Sequence, residues 1–237
     1  MKKYIYYSPH IITLAGLAFA VLALISVLEQ HYISAVRFCL LVLLVDRIDG
    51  TLARKLRVKE KFPGTSGERL DNITDLVGLT FVPMVLFWKE GLFFNGIGPY
   101  LVVVATAAAS WKYSRKDSFL SEGFSIGAPP IFFSIFLFYF LELPPVYSTV
   151  YTIILVILCV SPIKFPITSL VTTHWKLGYK SITNYLTAAF FLPIFIFLKS
   201  TPSIVFWIML FVIGVQLFVY PLLLNFGIIK PVFDREN

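Results

Sequence analysis

Four aspartates stand at positions where their spacing could do chemistry together. Asp46 and Asp49 follow directly on the apolar run Leu40–Val45, and Asp71 and Asp75 lead into a second run, Leu76–Phe87. Carboxylates set against apolar runs are costly to keep and mark functional sites. Residues three or four apart share a helix face. Asp46, Asp49, Gly50 and Ala53 therefore predict one stripe and Gly67, Asp71 and Asp75 a second, with about 6 Å of rise between successive members of the latter. Twelve residues separate Arg54 from Gly67, enough for a turn between antiparallel helices that brings both stripes to the same depth. Carboxylates crowded in this way cannot all stay ionised without counter-charge. Divalent cations are the natural counter-charge, and oxygen-only donors favour Mg²⁺ or Mn²⁺ over zinc.

The residues around these acids are small or basic. Gly50, Ala53 and Gly67 leave room on the same two faces for a flat ligand, close helix packing being the competing explanation for each. Arg54, with Arg57 and Lys59 nearby, could meet phosphate oxygens; a charge that merely sets topology is the alternative, and it applies to Lys55 and Lys61. His10 is either a local hydrogen-bonder or a ligand contact. His31 falls in an outside loop, and His174 beside Trp175 falls on the same side as the acids. No Ser/His/Asp or Cys/His arrangement stands out.

The elements that must carry these residues are membrane helices. Of the 237 residues, 58% are hydrophobic and 14% charged, and mean hydropathy is +0.83. A soluble domain averages roughly 45–50% apolar and could not hide this excess, so a soluble enzyme is excluded, as is a disordered chain. The two cysteines, Cys39 and Cys159, lie inside apolar runs and exclude a disulfide framework. Spans of about 20 apolar residues are predicted near 11–28, 33–53, 71–88, 97–112, 128–143, 146–161, 182–198 and 203–224. The fold class is all-α, a polytopic membrane helix bundle of about eight transmembrane helices, with six to eight possible. Residues 1–10 form an interfacial N-terminal segment, 11–224 the transmembrane domain and 225–237 a cytoplasmic tail. Ala18-Phe19-Ala20 mimics a signal-peptide cleavage site, but the run stays apolar to Leu28, so an uncleaved first helix is expected. Gly16 and Ala20, four apart, suit close helix packing.

The basic residues orient the bundle. With eight spans, Lys2 and Lys3, the 54–69 segment, the Lys112, Arg115 and Lys116 group, Lys164, Lys176 and Lys180, and the tail all fall on one side, while Lys89 and Lys199 fall on the other. The positive-inside rule makes the first side cytoplasmic. The net charge of +7 is then a topology signal, and no soluble basic domain exists to bind nucleic acid. A transporter or channel would explain intramembrane acids, but not their placement at one membrane face with glycines between them.

Asp49-Gly50-x-x-Ala53-Arg54, followed by Gly67-x-x-x-Asp71-x-x-x-Asp75 and preceded by Asp46, resembles the signature of the CDP-alcohol phosphotransferases. The signature covers residues 46–75, and the order of hydrophobic runs extends the likeness over most of the chain. The resemblance implies two metal ions held by Asp46, Asp49, Asp71 and Asp75, with Asp75 also the general base. It implies a CDP pocket lined by Asp46, Gly50, Ala53, Arg54, Gly67 and Thr13, lipid tails entering from the bilayer, and a homodimer in a bacterial inner membrane with its site facing the cytoplasm. The long Arg54-to-Gly67 spacing, His10 and Thr13, Val58-Lys59-Glu60, Pro63, Leu70-Asp71 and Phe81-Val82-Pro83 resemble the branch that joins CDP-diacylglycerol to free choline. Pro130-Ile131-Phe132-Phe133 departs from that branch, where an aromatic pair and an asparagine are expected after a proline. Serine, glycerol phosphate and inositol are the rival acceptors. A quaternary ammonium wants aromatic faces. Trp111 and Tyr113 are the candidate choline contacts, a role in the aromatic belt at the membrane surface being the alternative for each.

Overall fold

A computed structural model describes residues 7–56, 66–115, 124–166 and 200–227. The predicted span at 182–198, His174 and Trp175, the linker residues 57–65 and most of the two terminal segments lie outside the described residues. The chain divides into two compact units, one of residues 1–107 and 131–136 and the other of 108–130 and 137–237.

The first unit is built on three helices. Helix α1 (Ser8–Leu28) opens with Pro9 in its first turn, where the missing N–H is no loss. It runs unbroken through Ala18-Phe19-Ala20. It stops where Gln30 adopts a positive φ of 61°, with the Gln30 and His31 amides donating back to the Val27 and Ser26 carbonyls at 3.1 and 2.8 Å. This left-handed cap reverses the chain at once into α2 (Tyr32–Leu56), which packs along α1.

Helix α3 runs from Gly67 to Lys89 as one 23-residue rod. Ser66 caps it, its hydroxyl accepting from the Arg69 amide at 3.3 Å, which satisfies a donor that the first turn leaves orphaned. Residues Leu76–Phe81 widen into a π-helical turn just before Pro83. Proline has no amide to donate and crowds the preceding turn, and the wider turn absorbs both effects without breaking the helix. Gly91, at φ 73°, closes the rod, its amide bonding Trp88 O at 3.1 Å and that of Leu92 bonding Phe87 O at 3.0 Å.

Helix α1 shows how the unit packs. Pro9, His10, Thr13, Gly16, Ala20, Ala23 and Val27 are buried, at the three-and-four spacing of a single face. Ile11, Leu14, Val21, Leu22, Ile25 and Leu28 are exposed. Small and polar residues turn inward and branched apolar ones outward, as lipid demands. A Cβ on Gly16 would stand 3.1 Å from Val45 Cγ1 and 3.2 Å from Thr74 Cγ2, so this glycine is where α1 meets both neighbours. At Gly78 the same addition would come within 2.7 Å of Val42 Cγ1 and 3.2 Å of Ala20 Cβ. The expected packing role of Gly16 and Ala20 is met.

Helix α4 (Gly98–Ser114) leaves the first unit at Ala107. The second unit contains α6 (Pro145–Val160) and a rod, α7 (203–225), with a π-helical turn at Val215–Val219. Three helices among the described residues are long and apolar enough to cross a membrane, Ser8–Leu28, Gly67–Lys89 and Ser203–Leu223, and Pro145–Val160 is a shorter apolar helix.

Two expectations are corrected. The predicted span at 128–143 is broken. A 3₁₀ turn (Phe132–Ile135) belonging to the first unit leads into the short helix α5 (Phe136–Phe140), and Glu142, at φ 51°, ends it. Upstream, Phe124–Ile126 (β1) pairs antiparallel with Lys164–Pro166 (β2), so the chain is mostly helical rather than wholly α. Lys112 is no loop charge. It is 2% exposed, its ammonium donating to Ser125 Oγ, to the Ile126 carbonyl and, at 2.9 Å, to the Gly127 carbonyl. Gly127, at φ 79°, lies against the Cys159 carbonyl, where no side chain would fit.

Candidate active site

The acidic stripes meet. One carboxylate oxygen each from Asp46, Asp49 and Asp71 lies within 4.8 Å of the others. Asp49 is buried at 4% exposure, while Asp46 and Asp71 are half-buried. Asp75, one turn further along α3, is also half-buried and stands outside this trio. The stripes face each other as both helices pack on α1, where Gly16 lies against Val45 and Thr74.

The donor set fits a hard divalent cation. All three ligands are carboxylate oxygens. In an octahedral Mg²⁺ site with bonds of about 2.0–2.1 Å, neighbouring ligands lie roughly 2.9 Å apart and opposite ones roughly 4.2 Å, so the trio, within 4.8 Å, would close in around an ion on binding it. The charge agrees too, since three carboxylates in so small a volume repel one another unless a cation lies among them.

Helix α1 contributes to the site in a way the acidic motif does not announce. The Thr13 hydroxyl is placed to donate to Asp49 Oδ2 and, at 3.0 Å, to the Pro9 carbonyl one turn back. Thr13, expected in the CDP pocket, thus orients a carboxylate of the acidic trio. Gly67 also has a definite neighbour, because a Cβ there would stand 2.9 Å from His10 Cε1 and 3.4 Å from His10 Nδ1. The one readable signal for both contacts is the spacing of His10, Thr13 and Gly16 on one face of α1.

The remaining expected residues are less concentrated. Gly50 and Ala53 are half-buried on α2. Arg54 follows on the same helix, and its side chain lies outside the described set. Trp111, 58% exposed, and Tyr113, half-buried, belong to the second unit. Being two residues apart on α4, they point to opposite sides of the helix, so a single aromatic cage cannot use both.

A family model for CDP-alcohol phosphatidyltransferases matches residues 6–161, more than half of the chain and all of the acidic cluster. The chain belongs to the CDP-alcohol phosphatidyltransferase family. Its sequence is similar to phosphatidylcholine synthases: 31% identical over 122 residues to that of Borreliella burgdorferi (52% of each chain), 31% over 163 residues to that of Rhizobium johnstonii (67% of this chain, 66% of the relative) and 32% over 134 residues to that of Agrobacterium fabrum (55% and 56%). The chain thus spans about half to two thirds of the length of these curated relatives.

Proposed function

We propose that this membrane protein transfers the phosphatidyl group of CDP-diacylglycerol to choline, releasing phosphatidylcholine and CMP. The observation that carries the reading is the gathering of Asp46, Asp49 and Asp71 by two adjacent helices at one end of their apolar runs. Mg²⁺ or Mn²⁺, two ions in all with Asp75 sharing in their binding, would neutralise the pyrophosphate and polarise the phosphorus that carries diacylglycerol.

The protein's own groups bind and position. Asp46, Gly50, Ala53, Arg54 and Gly67 line the nucleotide site, the small residues admitting it close to the helix backbones. Asp75 takes the proton from the choline hydroxyl as its oxygen bonds to phosphorus. The bond from that phosphorus to the CMP oxygen breaks, and CMP leaves with the electron pair. Holding the hydroxyl and the phosphorus in line in a water-poor site does the rest. The trimethylammonium group calls for an aromatic face. The protein is a homodimer of the bacterial inner membrane, and the bias of its lysines and arginines turns the site toward the cytoplasm.

The test uses membranes from an expressing host, supplied with CDP-diacylglycerol, Mn²⁺ and a panel of labelled alcohols. Phosphatidylcholine is the expected product. Transfer to serine, glycerol phosphate or inositol with none to choline would leave the family intact and overturn the acceptor.

A further inference from the structure

His10 is 92% buried, at 8% exposure, and its Nε2 is enclosed with no hydrogen-bond partner among the described residues. A buried polar nitrogen left in this state is costly, and an apolar side chain would avoid the cost. The fold nevertheless makes space for the ring, because Gly67 is the residue whose missing Cβ admits it.

The ring's position says what could satisfy it. His10 lies one turn before Thr13, which bonds Asp49, and Gly67 lies one turn before Asp71. The His10–Gly67 contact therefore forms a layer about one helical turn, roughly 5 Å, outside the carboxylate trio, toward the ends from which α1 and α3 start. A ligand whose diphosphate sits at the trio would place its next group at that layer. Of the groups the proposed reaction brings in, one has hydrogen-bonding capacity at this outer layer. The diacylglycerol has only its ester carbonyls, which its acyl chains hold toward the bilayer. The ammonium of choline has no such capacity, and its one hydroxyl is consumed in the reaction. The nucleotide carries phosphate oxygens, ribose hydroxyls and a base.

We propose that His10 is a binding residue for the nucleotide half of the CDP-lipid, its Nε2 bonding the ribose-phosphate portion one turn out from the carboxylates. The inference rests on the proposed transferase reading. Gly67 acts with it: its small size serves to seat His10, and His10 in turn meets the ligand.

The test is calorimetric titration of CMP into the purified full-length protein with Mn²⁺, for wild type, His10→Phe and His10→Gln. The phenyl ring fills the space without a nitrogen, and the glutamine restores a hydrogen-bonding group. Wild type should bind CMP, His10→Gln should bind within a few-fold, and His10→Phe should bind about ten-fold or more weakly. His10→Phe should also keep or raise the unfolding temperature of the nucleotide-free protein, and it should raise the KM for CDP-diacylglycerol but not that for choline. CMP binding by His10→Phe equal to wild type overturns the inference, as does loss of fold in both variants, which would assign the ring to helix packing. Failure of the wild type to bind CMP would remove the transferase reading itself.

Discussion

Of the three gathered carboxylates Asp49 is the buried one, and it accepts the Thr13 hydroxyl from another helix. Its orientation is held from two helices at once. Asp49→Ala should lower kcat/KM by roughly a thousand-fold or more, the scale of several kcal/mol that bound cations supply to phosphoryl chemistry. Chelation with EDTA should abolish turnover, and Mg²⁺ or Mn²⁺ should restore it; full activity after exhaustive chelation would remove the metal reading. Thr13→Val tests the orienting bond. The valine keeps the shape and loses the donor, so the Mn²⁺ concentration giving half-maximal activity should rise about 10- to 100-fold, as for other partners of metal-binding side chains. An unchanged metal requirement would return Thr13 to a packing role.

The elements owe their shape to a few residues that break regularity. Pro83 needs the π-helical turn before it, and Gly78 inside that turn has no room for a methyl group between Val42 and Ala20. In the second unit the link between α4 and the strand pair is Lys112, a buried ammonium that holds the hydroxyl of Ser125 and two carbonyls of the bend after β1. Lys112→Met keeps the stem and deletes the donors, stranding acceptors at a cost of at least about 2 kcal/mol. Thermal unfolding in detergent should show a clear drop. Lys112→Arg, which keeps the charge and supplies donors in a larger, fixed fork, should lose less. Equal stability in the methionine variant would mean that the buried lysine contributes nothing to holding the bend.

At the scale of the whole molecule the claim is orientation. Helix α3 is about 34 Å long at 1.5 Å per residue, enough to cross a hydrocarbon core of about 30 Å. Glu68 at its start and Lys89 at its end are both exposed. The orientation proposed from charge bias puts the first inside and the second outside. The native Cys39 and Cys159 are buried and contribute little background. An impermeant thiol reagent applied to intact cells should therefore label Lys89→Cys and spare Glu68→Cys until the membrane is opened. The reverse pattern would invert the topology and place the acidic cluster outside.

The acidic stripes were legible in the sequence because helical periodicity is local: Asp46 with Asp49, and Gly67 with Asp71 and Asp75, share faces whatever surrounds them. The membrane class was legible for a similar reason, since composition alone decides whether a chain can hide its apolar surface from water. What only the tertiary structure decided depends on partners distant along the chain. Thr13 reaches Asp49 from 36 positions away, and His10 meets Gly67 from another helix; the shared face of His10 and Thr13 on α1 is readable, but it does not name either partner. Hydropathy read residues 128–143 as a span because their neighbours are apolar. The pairing of 124–126 with 164–166 lies some forty positions away, out of reach of any window, and there the chain bends and takes Lys112 into the interior. A charge on a sequence reads as exposed until the fold supplies acceptors around it, and these three come from β1 and the bend that follows it.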